Sequence, residues 1–186
     1  MHGFEALIAE ILADEGYWVR QSTKVTLTRD EKQRIGRPSA PRWEIDIIAF
    51  RAPDNHVLAV ECKSFLDSTG VVLRDLQGGK FARTYKLFTE PVLREVVLNR
   101  LGIQLMEQGL CATRPRVTLA LAAGKIKGDA AAVKRFCESQ NWQLFDADWI
   151  RTKLRRASHS GYTDSVAAMV AKLLLRGGAV PDADVG

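Results

Sequence analysis

Charged residues interrupt two short apolar segments near the middle of the chain, where charge is unusual. Asp46 lies within Trp43–Phe50, and Glu61 and Lys63 lie within Val57–Ser64. Both segments are rich in Ile, Val and Phe, and a Pro-Asp-Asn sequence typical of a turn separates them. The pattern therefore predicts a β-hairpin with two largely buried strands.

The spacing of these residues predicts that their side chains converge. Side chains alternate between the two faces of a strand, so Glu61 and Lys63 share a face, and the hairpin brings Asp46 alongside them. Two neighbouring carboxylates in an apolar setting repel each other, and a bound cation relieves that repulsion. Oxygen ligands of this kind suit Mg²⁺ or Mn²⁺. The alternative is a structural ion pair in which Lys63 bridges Glu61 and Asp46.

The arrangement resembles the PD-(D/E)xK nuclease superfamily, in which an Asp ends one strand and Glu-x-Lys lies on the next. Asp46 and Glu61-Cys62-Lys63 match that pattern, whereas Ile45 stands where many members have Pro. The resemblance implies that Asp46, Glu61 and the backbone carbonyl of Cys62 hold Mg²⁺ or Mn²⁺. It also implies that Lys63 stabilises charge or orients water beside a phosphodiester.

An amphipathic helix is predicted over Phe4–Glu15, because its apolar residues recur at helical spacing and Gly16 follows. Glu5 lies on the border of the apolar stripe and faces the expected sheet. This opening resembles the Mrr-like branch of the superfamily, which implies that Glu5 binds a second ion or a water on the first. The alternative is a carboxylate that complements the helix dipole.

A first strand is predicted over Val19–Leu27, followed by a polar, basic and mobile loop over Thr28–Arg42. Because the loop leads into the strand that carries Asp46, we expect it at the mouth of the acidic cleft. Contact with a phosphate backbone is then expected from Arg34, Arg37 and Arg42. Charged loops are also often merely solvated, and that alternative stays open.

The stretch Gly70–Phe88 predicts a helix, although Gly78-Gly79 weakens it. Helical spacing would place four polar or basic residues on one side, namely Gln77, Lys80, Arg83 and Lys86. Many relatives carry a Gln-x-x-x-aromatic pattern near the active site, which the pair Gln77 and Phe81 loosely matches. The resemblance therefore adds Gln77 to the candidate catalytic residues, with a plain surface role as the alternative, and the three basic residues to the candidate DNA contacts.

The rest of the chain predicts supporting elements. They are helices over Pro91–Gly109, Asp129–Gln140, Trp149–Ala157 and Thr163–Arg176, with strands over Arg116–Ala122 and Trp142–Phe145. We expect a nuclease-like domain over 1–158, a C-terminal helix over 159–176 and a disordered tail over 177–186.

Composition sets the broad class. The 186 residues suit one domain, and 46% hydrophobic with 26% charged residues is typical of a globular protein. No apolar run approaches a membrane span, no signal-peptide pattern opens the chain, and a cytoplasmic location is expected. Three scattered cysteines lack metal-ligand spacing, and the net charge of +5 permits nucleic-acid binding.

Together these features predict an α/β domain, and the resemblance implies a restriction endonuclease-like fold. In that fold a central mixed sheet, flanked by helices, carries the active site on an antiparallel hairpin. The implied function is metal-dependent hydrolysis of phosphodiester bonds in DNA, with RNA also open. A homodimer or a partner protein that supplies specificity is compatible with the sequence. The alternative is a non-catalytic nucleic-acid-binding or structural module with the same fold.

Overall fold

A five-stranded mixed sheet forms the centre of the computed structural model, which describes residues 3–39, 42–159, 161 and 165–176. Its spatial order follows the sequence: β1 (Trp18–Val25), β2 (Trp43–Arg51), β3 (His56–Lys63), β4 (Arg116–Ala123) and β5 (Gln143–Phe145). The first three strands are antiparallel neighbours, and β4 and β5 run parallel to β3. The predicted hairpin and the mixed α/β sheet are therefore confirmed.

Helices cover both faces of the sheet. They are α1 (Gly3–Asp14), α2 (Arg29–Arg34), α3 (Leu73–Leu76), α4 (Lys86–Thr89), α5 (Pro91–Glu107), α6 (Ala130–Ser139), α7 (Ala147–Ser158) and α8 (Val166–Arg176). Asp129 caps α6 and Asp146 caps α7, because each side chain accepts a hydrogen bond from a backbone N–H of the first turn. No helix within these described segments has the length and apolarity needed to span a membrane. The predicted tail over 177–186 lies outside the described residues.

Two apolar clusters hold the layers together. On one face, sheet residues such as Ile48 and Ala59 pack with side chains of α3 to α6, including Leu101. On the other face, Leu58 and Val60 pack with side chains of α1 and α7. A sheet that is covered on both faces buries both sets of alternating side chains, which explains the nearly continuous apolar sequence of β3.

The hairpin is distorted at Asp46. Residues two apart in a regular strand share a face, yet Ile45 packs in the α5 cluster and Ile47 in the α1 cluster. The opposite position on β1 is Ser22, whose φ of +49° is rare for a residue with a side chain. Both strands therefore change face at this level, and Asp46 leaves the regular alternation.

The predicted helix over Gly70–Phe88 is wrong. The segment breaks into α3, a 3₁₀ turn at Ala82–Tyr85 and α4. Gly78 has a φ of +96°, and a Cβ built on Gly79 would lie 2.7 Å from the carbonyl oxygen of Arg74. The glycine pair thus makes a tight turn that a helix could not contain.

The loop predicted over Thr28–Arg42 contains a short helix, α2. The Oγ1 of Thr28 accepts from the N–H of Glu31, and the Glu31 carboxylate accepts from the N–H of Thr28 at 2.7 Å. This reciprocal capping box is readable in the Thr-x-x-Glu spacing of the sequence. The segment is therefore more ordered than its polar composition predicts.

Candidate functional site

The candidate site lies where the pairing of β2 with β3 ends. The ladder runs from Arg51–His56 to Ile47–Val60 and lacks the next pair. In its place, the Cys62 backbone N–H donates to Oδ2 of Asp46 at 2.7 Å. The change of face at Asp46 thus directs its carboxylate toward β3, across the gap where the strands separate.

Glu61 and Lys63 follow directly on β3, as predicted. Their side chains are only 16% and 19% exposed, and Lys63 Nζ lies 3.7 Å from Glu61 Oε2. That separation is long for a hydrogen bond and short enough for an ion pair. Two carboxylates from adjacent strands and one ammonium are therefore gathered at one end of the hairpin.

The electrostatics of Glu61 reflect this crowding. Burial and, second to it, the negative charge of Asp46 raise the pKa of Glu61 to about 7, although Lys63 opposes both. A single ammonium at 3.7 Å does not offset the loss of hydration and the second carboxylate. The site therefore has a deficit of positive charge.

Glu5 of α1 joins the site through charge alone. It contributes to raising the pKa of Glu61 and, after burial and Asp46, to raising the pKa of the Cys62 thiol well above its usual range. No hydrogen bond or ion pair connects Glu5 to the other site residues in the described structure. Cys62 packs against the cluster that includes α1, which accounts for the effect of Glu5 on its thiol.

The oxygen donors at the site suit a Mg²⁺ or Mn²⁺ ion that keeps several water ligands better than an ion held by protein ligands alone. Within the described residues, no group of three His, Cys, Asp or Glu side chains is arranged to hold a metal. Mg²⁺ keeps several waters and is commonly held by one or two carboxylates. Asp46 and Glu61 supply two. The Cys62 carbonyl projects from the same edge of β3 as its N–H, which adds a neutral oxygen beside Asp46.

The predicted phosphate-binding arginines have protein partners that the sequence does not reveal. Arg37 Nη2 donates to both carboxylate oxygens of Glu90 at 2.9 and 2.7 Å, and Arg34 contacts Glu95 at 2.8 Å. Glu90 directly precedes α5, and Glu95 lies within the first half of that helix. Arg42 is exposed and has no ion-pair partner within the described segments. Only Arg42 is thus available for an external anion without breaking an internal contact.

The basic helical face predicted in the next segment does not exist. Because Gly78-Gly79 breaks the helix, the residues predicted to share that face lie on different elements: Gln77 ends α3, Lys80 follows the glycines, Arg83 is in the 3₁₀ turn and Lys86 begins α4. Gln77 is exposed, and no contact connects it with Glu61 or Lys63 in the described structure. Lys80 instead lies over the exposed ring of Phe81 at 5.4 Å.

Comparison with known proteins adds little to this geometry. No protein-family model matches the chain, and no curated protein matches it either. A solved structure described as a protein of unknown function, AF1548, resembles it with a TM-score of 0.48 and 12% sequence identity. The alignment covers 91% of this chain and 76% of that one.

Proposed function

We propose that this chain is a metal-dependent nuclease with a restriction endonuclease-like fold, acting on DNA. The observation that carries the proposal is the meeting of Asp46 and Glu61 beside Lys63, where the strands of the hairpin part. The alternative was an ion pair in which Lys63 bridges both carboxylates, yet in the described structure Lys63 pairs with Glu61 alone and Asp46 accepts from the Cys62 N–H. Burial and the charge of Asp46 raise the pKa of Glu61, and a bound cation would oppose both effects.

Each residue has a role that follows from its position. Asp46 and Glu61 would hold Mg²⁺ or Mn²⁺ together with the carbonyl of Cys62. The Cys62 N–H fixes one oxygen of Asp46, which leaves Oδ1 directed away from that bond. The chemistry that the ion supplies when bound is polarisation of a phosphoryl oxygen and activation of water.

Lys63 would act on the substrate. Its side chain is mostly buried at the edge of the site, and its ammonium is a donor with three hydrogen atoms. Directed at a non-bridging phosphate oxygen, it stabilises the negative charge that develops during hydrolysis. Glu5, which is close enough to act through its charge, would increase the attraction of the site for cations.

A cleavage assay with isosteric variants tests the proposal. Wild-type protein is incubated with linear, nicked, branched and single-stranded DNA and with RNA, with Mg²⁺, Mn²⁺ or EDTA. We expect cleavage that requires the metal and that Asp46→Asn and Glu61→Gln abolish. Asn is preferred to Ala because Ala would leave the Cys62 N–H without its acceptor, at a cost of about 1–3 kcal/mol.

Glu107→Gln is a matched control, since Glu107 is an exposed glutamate at the end of α5. It should cleave like the wild type. Cleavage by both site variants at the wild-type rate would contradict the assignment. Binding of DNA by wild type and variants alike, with no cleavage under any condition, would favour the non-catalytic binding module.

A further inference from the structure

In the C-terminal helix α8, small side chains are buried and large apolar side chains are exposed, which is the reverse of an ordinary surface helix. Ala168 and Ala171 are the side chains it buries, against the neighbouring part of the fold. Leu173 and Leu174, in contrast, are 77% and 73% exposed. The full set of exposed large apolar residues on this helix is Val166, Met169, Val170, Leu173, Leu174 and Leu175.

Five of these exposed residues form a ridge, whereas Leu175 follows Ala168 and Ala171 on the opposite side of the helix. Val166, Val170 and Leu173 follow one another at spacings of four and three, so they lie on one side of the helix. A ridge of this length costs free energy while it faces water, at about 25 cal/mol per Å² of apolar surface. Contiguous apolar patches of this kind typically mark an interaction surface.

The ridge forms one wall of an apolar groove of about 700 Å³, and the other walls come from α1 and α7. Lining residues include Gly3, Ala6 and Leu7 of α1, Leu154 of α7, and Val170 and Leu174 of α8. A molecule that carries both a ridge and an adjacent groove is complementary to a second copy of itself. In a twofold arrangement, each ridge enters the groove of the other copy.

The charges at the groove support a second copy as the occupant. Glu10 of α1 and Arg155 of α7 both line it, and neither has an ion-pair partner in the described part of the chain. Twofold symmetry opposes an acid on one protomer to a base on the other, and makes the same pair twice. A partner of one charge sign would satisfy only one of these two residues.

The surface available is adequate for a stable pair. Burying a Leu or Val side chain removes roughly 60–120 Å² from water, so the five ridge residues would contribute roughly 400 Å² per protomer. A standard interface buries about 800 Å² per partner, and the groove walls of α1 and α7 add to the ridge. We propose that this chain forms a twofold homodimer through α8 and the groove between α1 and α8. The dimer does not depend on the nuclease activity proposed above.

Sedimentation velocity of the full chain over a wide concentration range tests this dimer. We expect a species of twice the 20.7 kDa chain mass. Leu173→Asp should raise the dissociation constant of the dimer about 100-fold or more. Twofold symmetry repeats the substitution, so the interface loses two leucines and buries two charges. Leu66→Asp is the matched control, since Leu66 is an exposed leucine in the segment after β3 and should leave the dimer unchanged.

Charge exchange tests the orientation of the two copies. Glu10→Arg and Arg155→Glu should each weaken the dimer, and the double variant should restore it. Circular dichroism should report folded protein throughout, since all three positions lie at the helix surface. A chain that stays monomeric at every concentration, or a dimer that Leu173→Asp leaves unchanged, would overturn the proposal. A double variant no tighter than the single ones would contradict the twofold arrangement.

Discussion

At the scale of single residues, the candidate site depends on one hydrogen bond between a side chain and the backbone. Because the Cys62 N–H donates to Asp46, the Asp46 carboxylate is held across the gap between β2 and β3, near Glu61. The Asp46 side chain thus accepts the hydrogen bond that a strand partner would otherwise accept from this N–H, and it also contributes negative charge. Its structural and proposed catalytic roles are therefore separable only by isosteric substitution.

Glu61 should make stability depend on pH. Its pKa rises from 4.5 to about 7 on folding, so the unfolded chain releases the proton first as the pH increases. Ionisation of Glu61 therefore leaves the free energy of unfolding unchanged below pH 4.5 and lowers it between the two pKa values. The loss is complete above pH 7. The total loss is roughly 3 kcal/mol. Urea denaturation of metal-free protein across this range should show the loss in wild type and not in Glu61→Gln.

Glu107→Gln controls for the removal of a glutamate, and it should follow the wild-type pH profile. If Glu61→Gln follows the same profile as wild type, Glu61 is not the buried, crowded carboxylate described above.

Lys63→Ala should distinguish a catalytic ammonium from a structural one. Under the nuclease proposal, the single-turnover cleavage rate should fall by about 100- to 1,000-fold, because a donor to the developing charge is lost. Affinity for uncleaved DNA should change little, as measured by fluorescence anisotropy. If Lys63 only bridges carboxylates, the variant should unfold at lower temperature without metal, and its cleavage rate with Mg²⁺ should match the wild type.

At the scale of elements, three ion pairs fasten α2 and the turn after it to α5 and the residue before it. Arg37 contacts Glu90, Arg34 contacts Glu95, and Arg100 of α5 contacts Glu31. Glu90 and Glu95 thus form ion pairs with two of the arginines that we predicted to bind phosphate. Arg37 also has a buried Nη1 without a hydrogen-bond partner in the described structure. Two of the five basic residues between Thr28 and Arg42 are thus neutralised internally.

The double variant Glu90→Gln/Glu95→Gln should strengthen nucleic-acid binding if this segment faces the substrate. It frees Arg37 and Arg34 to bind phosphate. The slope of log affinity against log salt concentration should therefore become steeper by roughly 0.9 for each additional phosphate that is neutralised. The control Glu107→Gln/Glu138→Gln removes the same net charge from exposed positions on α5 and α6. Equal effects of the two double variants would assign the stronger binding to net charge and not to these ion pairs.

The element boundaries also show where periodicity is reliable. α1, α5 and α6 lie within one to two residues of their predicted bounds, because each has a long apolar stripe that packs on the sheet. The stretch Gly70–Phe88 has apolar residues at helical spacing, yet it forms three short pieces. There, backbone freedom at Gly78-Gly79 outweighs the apolar pattern, since a side chain at Gly79 would collide with Arg74.

At the scale of the whole molecule, the layers place the candidate site at one end of β3, where the strand leaves the hairpin. The central strand is fully covered along His56–Val60, and exposure begins only at Glu61. The fold thus isolates the charged residues from the apolar interior while keeping them partly shielded from water. Such shielding strengthens every charge interaction within the site.

Metal binding should stabilise the whole fold. An ion that binds only the folded state adds about 2.7 kcal/mol when it is present at about a hundred times its dissociation constant. For a chain of this length, that corresponds to an increase in Tm of roughly 5–10 °C. Differential scanning fluorimetry with Mg²⁺ or Mn²⁺ should show the increase in wild type and Glu107→Gln. An increase of equal size in Asp46→Asn and Glu61→Gln would place the ion elsewhere.

The sequence by itself determined the hairpin, the long helices and the grouping of Asp46, Glu61 and Lys63, because alternation and helical periodicity are local properties that packing then reinforced. Only the tertiary structure decided how Asp46 reaches β3, since that contact depends on a change of face shared by two strands. It also decided that Glu90 and Glu95 pair with Arg37 and Arg34, more than 50 positions apart in the chain. The exposed ridge of α8 likewise followed from packing, because a helix with apolar residues on several sides does not reveal which side faces the domain.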